Sequence, residues 1–302
     1  MFSRPTSDWQ QQYSFPVSWM KTADGYKLHY VDVGMGFPVV MAHGNPTWSF
    51  MYRGLLHKLP FYGHRAIAID HLGCGLSDKP QDWSYHLADH IDNFRQLVEK
   101  HLQLKQFDLI VHDWGGAIGL GYAVMHPERI RRIVIMNTAA YCSKDMPWRI
   151  GFIRNPITGP LMIRGLNMFA GCATHMAVVK KLSPEAKAGM LAPYDNWHNR
   201  VAIYKFVRDI PMSPKHPSWQ TLKNIENNLH RLEDKKILLC WGEKDFCFNM
   251  RYFETWKLIY PNALALSFPG AGHYLLEDLP DEIIPLICNF LGQSWLLSQQ
   301  KN

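Results

Sequence analysis

Short apolar runs without polar alternation, each stopping abruptly at a polar or glycine-rich cluster, recur along this 302-residue chain. Pro38-Val39-Val40-Met41-Ala42 stops at His43-Gly44-Asn45-Pro46, and residues 65–69 (RAIAI) stop at Asp70. Residues 107–111 (FDLIV) stop at His112-Asp113, and residues 131–136 (RRIVIM) at Asn137-Thr138. Residues 237–241 (ILLCW) run into Gly242-Glu243-Lys244-Asp245, and residues 263–268 (ALALSF) into Gly270-Ala271-Gly272-His273. A strand that is apolar on both faces must be covered on both, which is the situation of a parallel strand between two helical layers.

Helical periodicity fills several gaps between these runs. Residues 85–101 place Leu87, Ile91, Phe94 and Val98 at spacings of three and four, and residues 115–126 form a small-residue helix stopped by Pro127. Ahead of them, residues 26–34 alternate as a half-buried strand does, behind a tight turn at Asp24-Gly25. The succession predicts an α/β fold with a mostly parallel sheet flanked by helices. Ligands in such sheets bind at the carboxyl ends of the strands, where the polar clusters of this chain fall.

One interval breaks the rhythm. Residues 139–236 lack a strong buried-strand signal and carry helix-like pieces rich in Met, Phe and Leu, punctuated by prolines. Nearly a hundred residues are too many for a loop. The reading is a mostly helical cap inserted into a core formed by residues 1–138 and 237–302. Singly, Met162, Met168, Phe169 and Met176 are ordinary packing residues; as a set they predict an apolar pocket under the cap.

The charge pattern excludes several classes of function. The net charge of +6 comes from lysines and arginines dispersed in short pairs such as Lys180-Lys181 and Lys235-Lys236, which reads as a solubilising surface. No long basic run or aromatic-basic platform marks a nucleic-acid surface. Six cysteines, Cys74, Cys142, Cys172, Cys240, Cys247 and Cys288, are scattered among apolar neighbours without a C-x-x-C pair, the pattern of buried thiols in a reducing compartment. Neither a metal-ligand motif nor a dinucleotide fingerprint is present, so no metal or cofactor is expected. The N-terminal stretch MFSRPTSDWQQQYSF has no apolar leader core, and no uncharged apolar run is long enough to span a bilayer, which makes the cytoplasm the expected location.

The strongest chemical signal is Ile110-Val111-His112-Asp113-Trp114-Gly115-Gly116. A sharp strand-to-helix turn is crowded and strained and needs small residues around its apex. Glycines 115 and 116 supply them on the helix side, Val111 stands where glycine is common, and Asp113 is the apex. A carboxylate there can attack an sp3 carbon and form an alkyl-enzyme ester, which water opens with the help of a base. His273 is the candidate base and Asp245 the candidate to orient it, with Glu243 a nearby competitor. Nucleophile, acid, histidine is the chain order of α/β-hydrolase triads.

Each of these residues also has a purely structural alternative. Asp113 could cap its helix, and Asp245 could serve turn chemistry alone. Asn45 and Trp114 add two neutral side-chain donors suited to a departing anion, yet one can be a turn former and the other a core aromatic. The loop Asp70-His71-x-Gly73-x-Gly75-x-Ser77 reads as the floor of the site, and the His86, His90 pair as a helix face.

The stretches His43–Phe50, Asp70–Pro80, His112–Gly116 and Trp241–Asp245 resemble the haloalkane dehalogenase branch of the α/β hydrolases. That resemblance implies an α/β-hydrolase fold, with Asp113 as nucleophile, His273 as base, Asp245 as its acid, and Asn45 and Trp114 holding the leaving group. Members with a glutamate after the sixth strand would need it near Asn137, where this chain has an amide. Asn137–Tyr141, Arg164–Asn167, Leu191–Trp197, Phe206–Pro211 and Gly272–Asp278 look like the β-lactone decarboxylases of bacterial long-chain olefin biosynthesis. This second likeness spans residues 20–292, cap included. It implies conversion of cis-β-lactones with long alkyl chains to cis-alkenes and CO2, and partners among the pathway's enzymes, including a β-lactone synthetase. The other readings are a haloalkane dehalogenase, another α/β hydrolase such as an ester hydrolase or an epoxide hydrolase with Tyr141, Tyr194 or Tyr204 available as acid, and a non-catalytic binding protein on the same fold.

Overall fold

The computed structural model describes residues 9–143 and 145–299. The first eight residues, part of the N-terminal stretch MFSRPTSDWQQQYSF, lie outside that range. Eight strands form one sheet in the order β1-β2-β4-β3-β5-β6-β7-β8. They are β1 (Ser18–Lys21), β2 (Lys27–Val33), β3 (Phe37–Ala42), β4 (His64–Ile69), β5 (Phe107–His112), β6 (Ile130–Met136), β7 (Lys236–Gly242) and β8 (Leu264–Phe268). β2 runs antiparallel to β1 and β4, and every later pairing is parallel.

The missing alternation in the central strands has a direct cause. Successive residues of a strand point to opposite faces, and here both faces are packed. Val40, Ala42, Leu109, Val111, Ile133 and Ile135 enter one hydrophobic cluster, while Val39, Met41, Ile110, Val134 and Met136 enter the other. Every residue of β5 is buried, whereas the edge strand β8 has none that is fully buried. β1 is not visible in the sequence reading because its four residues carry too little pattern. It exists by pairing with β2 across a turn in which Gly25 has φ of 90°, a conformation that glycine adopts without strain.

The two core helices fall close to their expected positions. Leu87–Arg95 continues into a wider π turn at Gln96–His101, and Trp114–Met125 ends ahead of Pro127. The start of the first is set from far away in sequence: the Asp209 carboxylate accepts the Leu87 amide at 2.9 Å and meets His86 Nδ1 at 2.7 Å. His86 and His90 both turn toward residues 206–209, as members of one helix face do. His90 is fully buried and stacks on Phe206, with a pKa lowered to about 3 by burial and by the neighbouring His43 and His86.

Between β6 and β7 the described residues form helices and no strand. The α-helices of eight or more residues are Met168–Met176, Pro184–Leu191, Val201–Arg208 and Trp219–Asn228. The last of them presses Ile225 against Gly121 of the core helix. Among the described residues, no helix is long and apolar enough to cross a membrane.

Candidate active site

The turn between β5 and the helix Trp114–Met125 is built around Asp113, whose φ of 51° and ψ of −126° lie outside the ordinary regions for a non-glycine residue. Its neighbours explain why it can exist. A Cβ on Gly115 would collide with the Ala42 carbonyl oxygen, one on Gly116 with Thr138, and one on Gly44 with the Asp113 carboxylate itself. Val111 takes the place where glycine is common because Gly119, one helical turn on, leaves room for its methyl group. Gly115→Ala is therefore expected to lower stability by about 2–3 kcal/mol, through overpacking that no side-chain rotation can relieve. The midpoint of urea unfolding checks this, and an unchanged midpoint would show that the turn is looser than its geometry implies.

Asp113 does not cap its helix through its side chain. Its Oδ1 accepts the main-chain amide of Asn45 at 2.6 Å, and Oδ2 faces His273 Nε2 at 3.8 Å. His273 Nδ1 donates to Asp245 Oδ2 at 2.7 Å. Asp245 is in turn held by the amide of Cys247 at 2.7 Å and by Asn137 Nδ2 at 2.9 Å. Asn137 also accepts the Gly242 amide at 2.8 Å, so this amide at the end of β6 braces the acid at the end of β7. The rival Glu243 accepts from Ser267 Oγ at 2.8 Å.

The His273 loop is fixed from three sides. The Gly272 amide donates to Asp278 at 2.8 Å, the His273 carbonyl oxygen lies 2.8 Å from His112 Nε2, and Phe248 stacks on the His273 ring. Of these supports, the sequence reading identified neither His112 nor Asp278 nor Phe248 in such a role. Only the invariable chemistry of a carbonyl or amide end needing a partner could have hinted at them.

Burial and neighbouring charge act on Asp113 and His273 in different ways. Burial raises the Asp113 pKa above the ordinary 3.8, against the opposing pull of His273 and the main-chain amides of Trp114 and Asn45. Burial alone would lower His273, but the charge and hydrogen bond of Asp245, helped by Asp113, carry its pKa above 6.5.

These groups open onto a cavity of ≈ 480 Å³, in the range of small-molecule sites. Asn45, Trp114, Asp113 and His273 line it, as do Met162, Met168, Phe169 and Met176. Asn45 spends one of its amide hydrogens on the Ile203 carbonyl at 3.2 Å, while no protein acceptor takes the Trp114 indole N–H among the described residues. The loop expected to form the floor lies outside the lining. Asp70 is a buried hub instead, accepting the amides of Ser49 at 2.7 Å and Leu76 at 2.9 Å and meeting His29 at 2.7 Å, so it braces the Asn45 segment from behind. Tyr141 lines the cavity, whereas Tyr194 donates to the Thr47 carbonyl away from it. Among the described residues no group of side chains is arranged to hold a metal ion.

The model of the α/β-hydrolase fold family matches residues 38–280 of the chain. The chain belongs to the α/β-hydrolase fold family. This α/β hydrolase is 40% identical over 285 residues to a cis-3-alkyl-4-alkyloxetan-2-one decarboxylase of Shewanella oneidensis, covering 92% of this chain and 89% of the relative. A protein of the same description from Xanthomonas campestris is 36% identical, over 93% of this chain and 98% of the relative. Among solved structures, a haloalkane dehalogenase from Agrobacterium tumefaciens superimposes with a TM-score of 0.83 at 25% identity, covering 92% of this chain and 96% of that one. With such relatives over nearly its whole length, the α/β hydrolase is an enzyme, similar in sequence to decarboxylases and in fold to a dehalogenase.

Proposed function

We propose that this α/β hydrolase decarboxylates cis-β-lactones carrying two long alkyl chains, giving a cis-alkene and CO2, with Asp113 as nucleophile. The observation that carries the reading is the 40% identity to an oxetan-2-one decarboxylase across both the core and residues 139–236, which we take as the cap that roofs the apolar cavity. An oxetan-2-one is a β-lactone, and the cavity lining offers two alkyl chains methionine and aromatic surface.

The atoms balance without water. Asp113 Oδ2 forms a bond to the ring carbon that bears the ring oxygen, and the carbon–oxygen bond breaks to leave a free carboxylate. The bond between that carboxylate and its neighbouring carbon then breaks, CO2 leaves, and its electron pair becomes the alkene π bond as the carbon–Asp113 bond returns its electrons to the aspartate. Asn45 and Trp114 would hold the nascent carboxylate, and the Asn45 amide on Oδ1 fixes the orientation of the attack. His273, held by Asp245, stands beside Asp113 to handle any proton or water, and the alkene-forming steps do not depend on its charge.

A dehalogenase reading uses the same nucleophile and is favoured by the fold likeness to the Agrobacterium enzyme. We further place the chain in a reducing compartment such as the cytoplasm, in company with the enzyme that forms its lactone. All six cysteines are free, which is consistent with that location, but only Cys74, Cys240 and Cys288 are buried as expected, whereas Cys142 and Cys247 are half-buried and Cys172 is exposed.

Gas chromatography of products after incubation with a cis-β-lactone bearing medium-length alkyl chains tests the reading. Alkene that disappears in D113A supports it; a β-hydroxy acid, or unchanged lactone together with halide release from bromoalkanes, would transfer the assignment to hydrolysis.

A further inference from the structure

Between Asp145 and Glu185 the sequence contains no acidic residue, but it contains Arg149, Arg154, Arg164, Lys180 and Lys181. The same interval concentrates large exposed hydrophobics, among them Trp148 at 76%, Ile157 at 83% and Leu166 at 65% exposure. Scattered single apolar residues need no explanation, whereas this many within one interval do.

The patch is continuous with the active site. Trp148, Arg149, Phe152, Met168, Cys172 and Met176 are exposed and at the same time line the cavity that contains Asp113. These six residues therefore form an outer rim of the chamber, and the other exposed residues of the interval flank them in sequence. Its charge is not compensated: among the described residues Arg149, Lys180 and Lys181 form no ion pair, and Asp145 at the edge is turned to Arg251 at 3.6 Å. Arg154 and Arg164 are held by main-chain carbonyls of Ile210 and Trp197, which position their charges without neutralising them.

We infer that this rim docks on an anionic lipid bilayer and draws its substrate directly from it. Protruding tryptophan and aliphatic side chains among lysines and arginines are the composition of a surface that sits in the headgroup region. Anionic headgroups supply the missing countercharge. A second copy of the chain does not: a two-fold contact would set five cations against the same five. Docking itself depends only on the patch, whereas the identity of what enters rests on the lactone reading. A molecule with two alkyl chains resides in a bilayer, and a chamber that opens inside the headgroup layer spares it passage through water.

The test is flotation of the full chain, without substrate, on phosphatidylcholine vesicles with and without phosphatidylglycerol. Two double variants accompany it, Ile157→Ser with Leu166→Ser, and Lys180→Glu with Lys181→Glu, none of whose positions lines the cavity. The wild-type chain is expected to float with anionic vesicles. Each variant should bind at least about tenfold more weakly, and added salt should weaken the wild type likewise. Turnover of a detergent-dispersed lactone should be unchanged in both. Failure to float, undiminished flotation of the variants, or a concentration-dependent dimer dissolved by the same substitutions would overturn the inference. Because no substrate is present, failure of lactone turnover leaves this result untouched, and failure of flotation leaves the detergent assay untouched.

Discussion

Asp113→Ala is expected to remove lactone turnover almost entirely, by roughly 10⁴-fold or more, the scale of deleting a covalent nucleophile. Two observations support so large an effect. Oδ1 is already anchored on the Asn45 amide, so Oδ2 is the oxygen left to attack, and among the described residues no other carboxylate lines the cavity except Asp145 at its rim. Stability should move by less than about 2 kcal/mol. Removing a carboxylate whose burial already disfavours its charge offsets part of the loss of its hydrogen bond. Product analysis and a thermal melt of D113A decide the matter together. Turnover within tenfold of wild type would remove Asp113 from the mechanism, and a collapsed melt would make it chiefly a structural residue.

His273→Ala should separate the two chemistries that the fold family supports. With a long-chain bromoalkane, Asp113 can still be alkylated, but water must open the ester, and loss of the base should slow that step by about 10² to 10⁴-fold. The alkylated chain then accumulates and adds the mass of the alkyl group to the intact protein. With a lactone, the electron count returns Asp113 without water, so the variant should release alkene without a lasting adduct. The pH dependence follows with its sign. His273 has a pKa above 6.5, so its neutral, basic form grows only as the pH rises through that raised value. Ester hydrolysis should climb in this window while decarboxylation stays level. Asp113 has a pKa above 3.8, so attack on either substrate should fail as the pH drops through that value. An adduct that never appears in H273A with any active haloalkane would contradict the assignment of His273 as base, as would a lactone rate that climbs as steeply as hydrolysis.

The docking rim bears on both experiments, because bulk assays with insoluble substrates report delivery as well as chemistry. Single-turnover measurements in detergent isolate the chemical step from the surface that supplies it.

The central strands were legible because their side chains on both faces had to be apolar, and Val39–Ala42 and Leu109–Val111 show it directly. The turn at Asp113 was legible because close packing against Ala42 and Thr138 leaves room only for glycine at 115 and 116. Where the meaning of a residue depended on a distant partner, sequence alone fell short. Asp70 looked like a site residue, since a polar cluster after a strand normally is, yet its carboxylate is consumed by Ser49, Leu76 and His29. Residues 85 and 86 carried helical periodicity, but the helix begins at Leu87, where Asp209 captures the first amide.

By itself the sequence determined the kinds of groups present, their order, and the strand ends that carry them, because periodicity and turn chemistry act over a few residues. Tertiary structure alone decided which of Asp245 and Glu243 reaches His273, that Asn137 braces Asp245, and that exposed residues between 148 and 176 share a rim with the cavity beside Asp113. Those outcomes turn on distances of a few ångströms between segments far apart in the chain, set by how the packed layers come together.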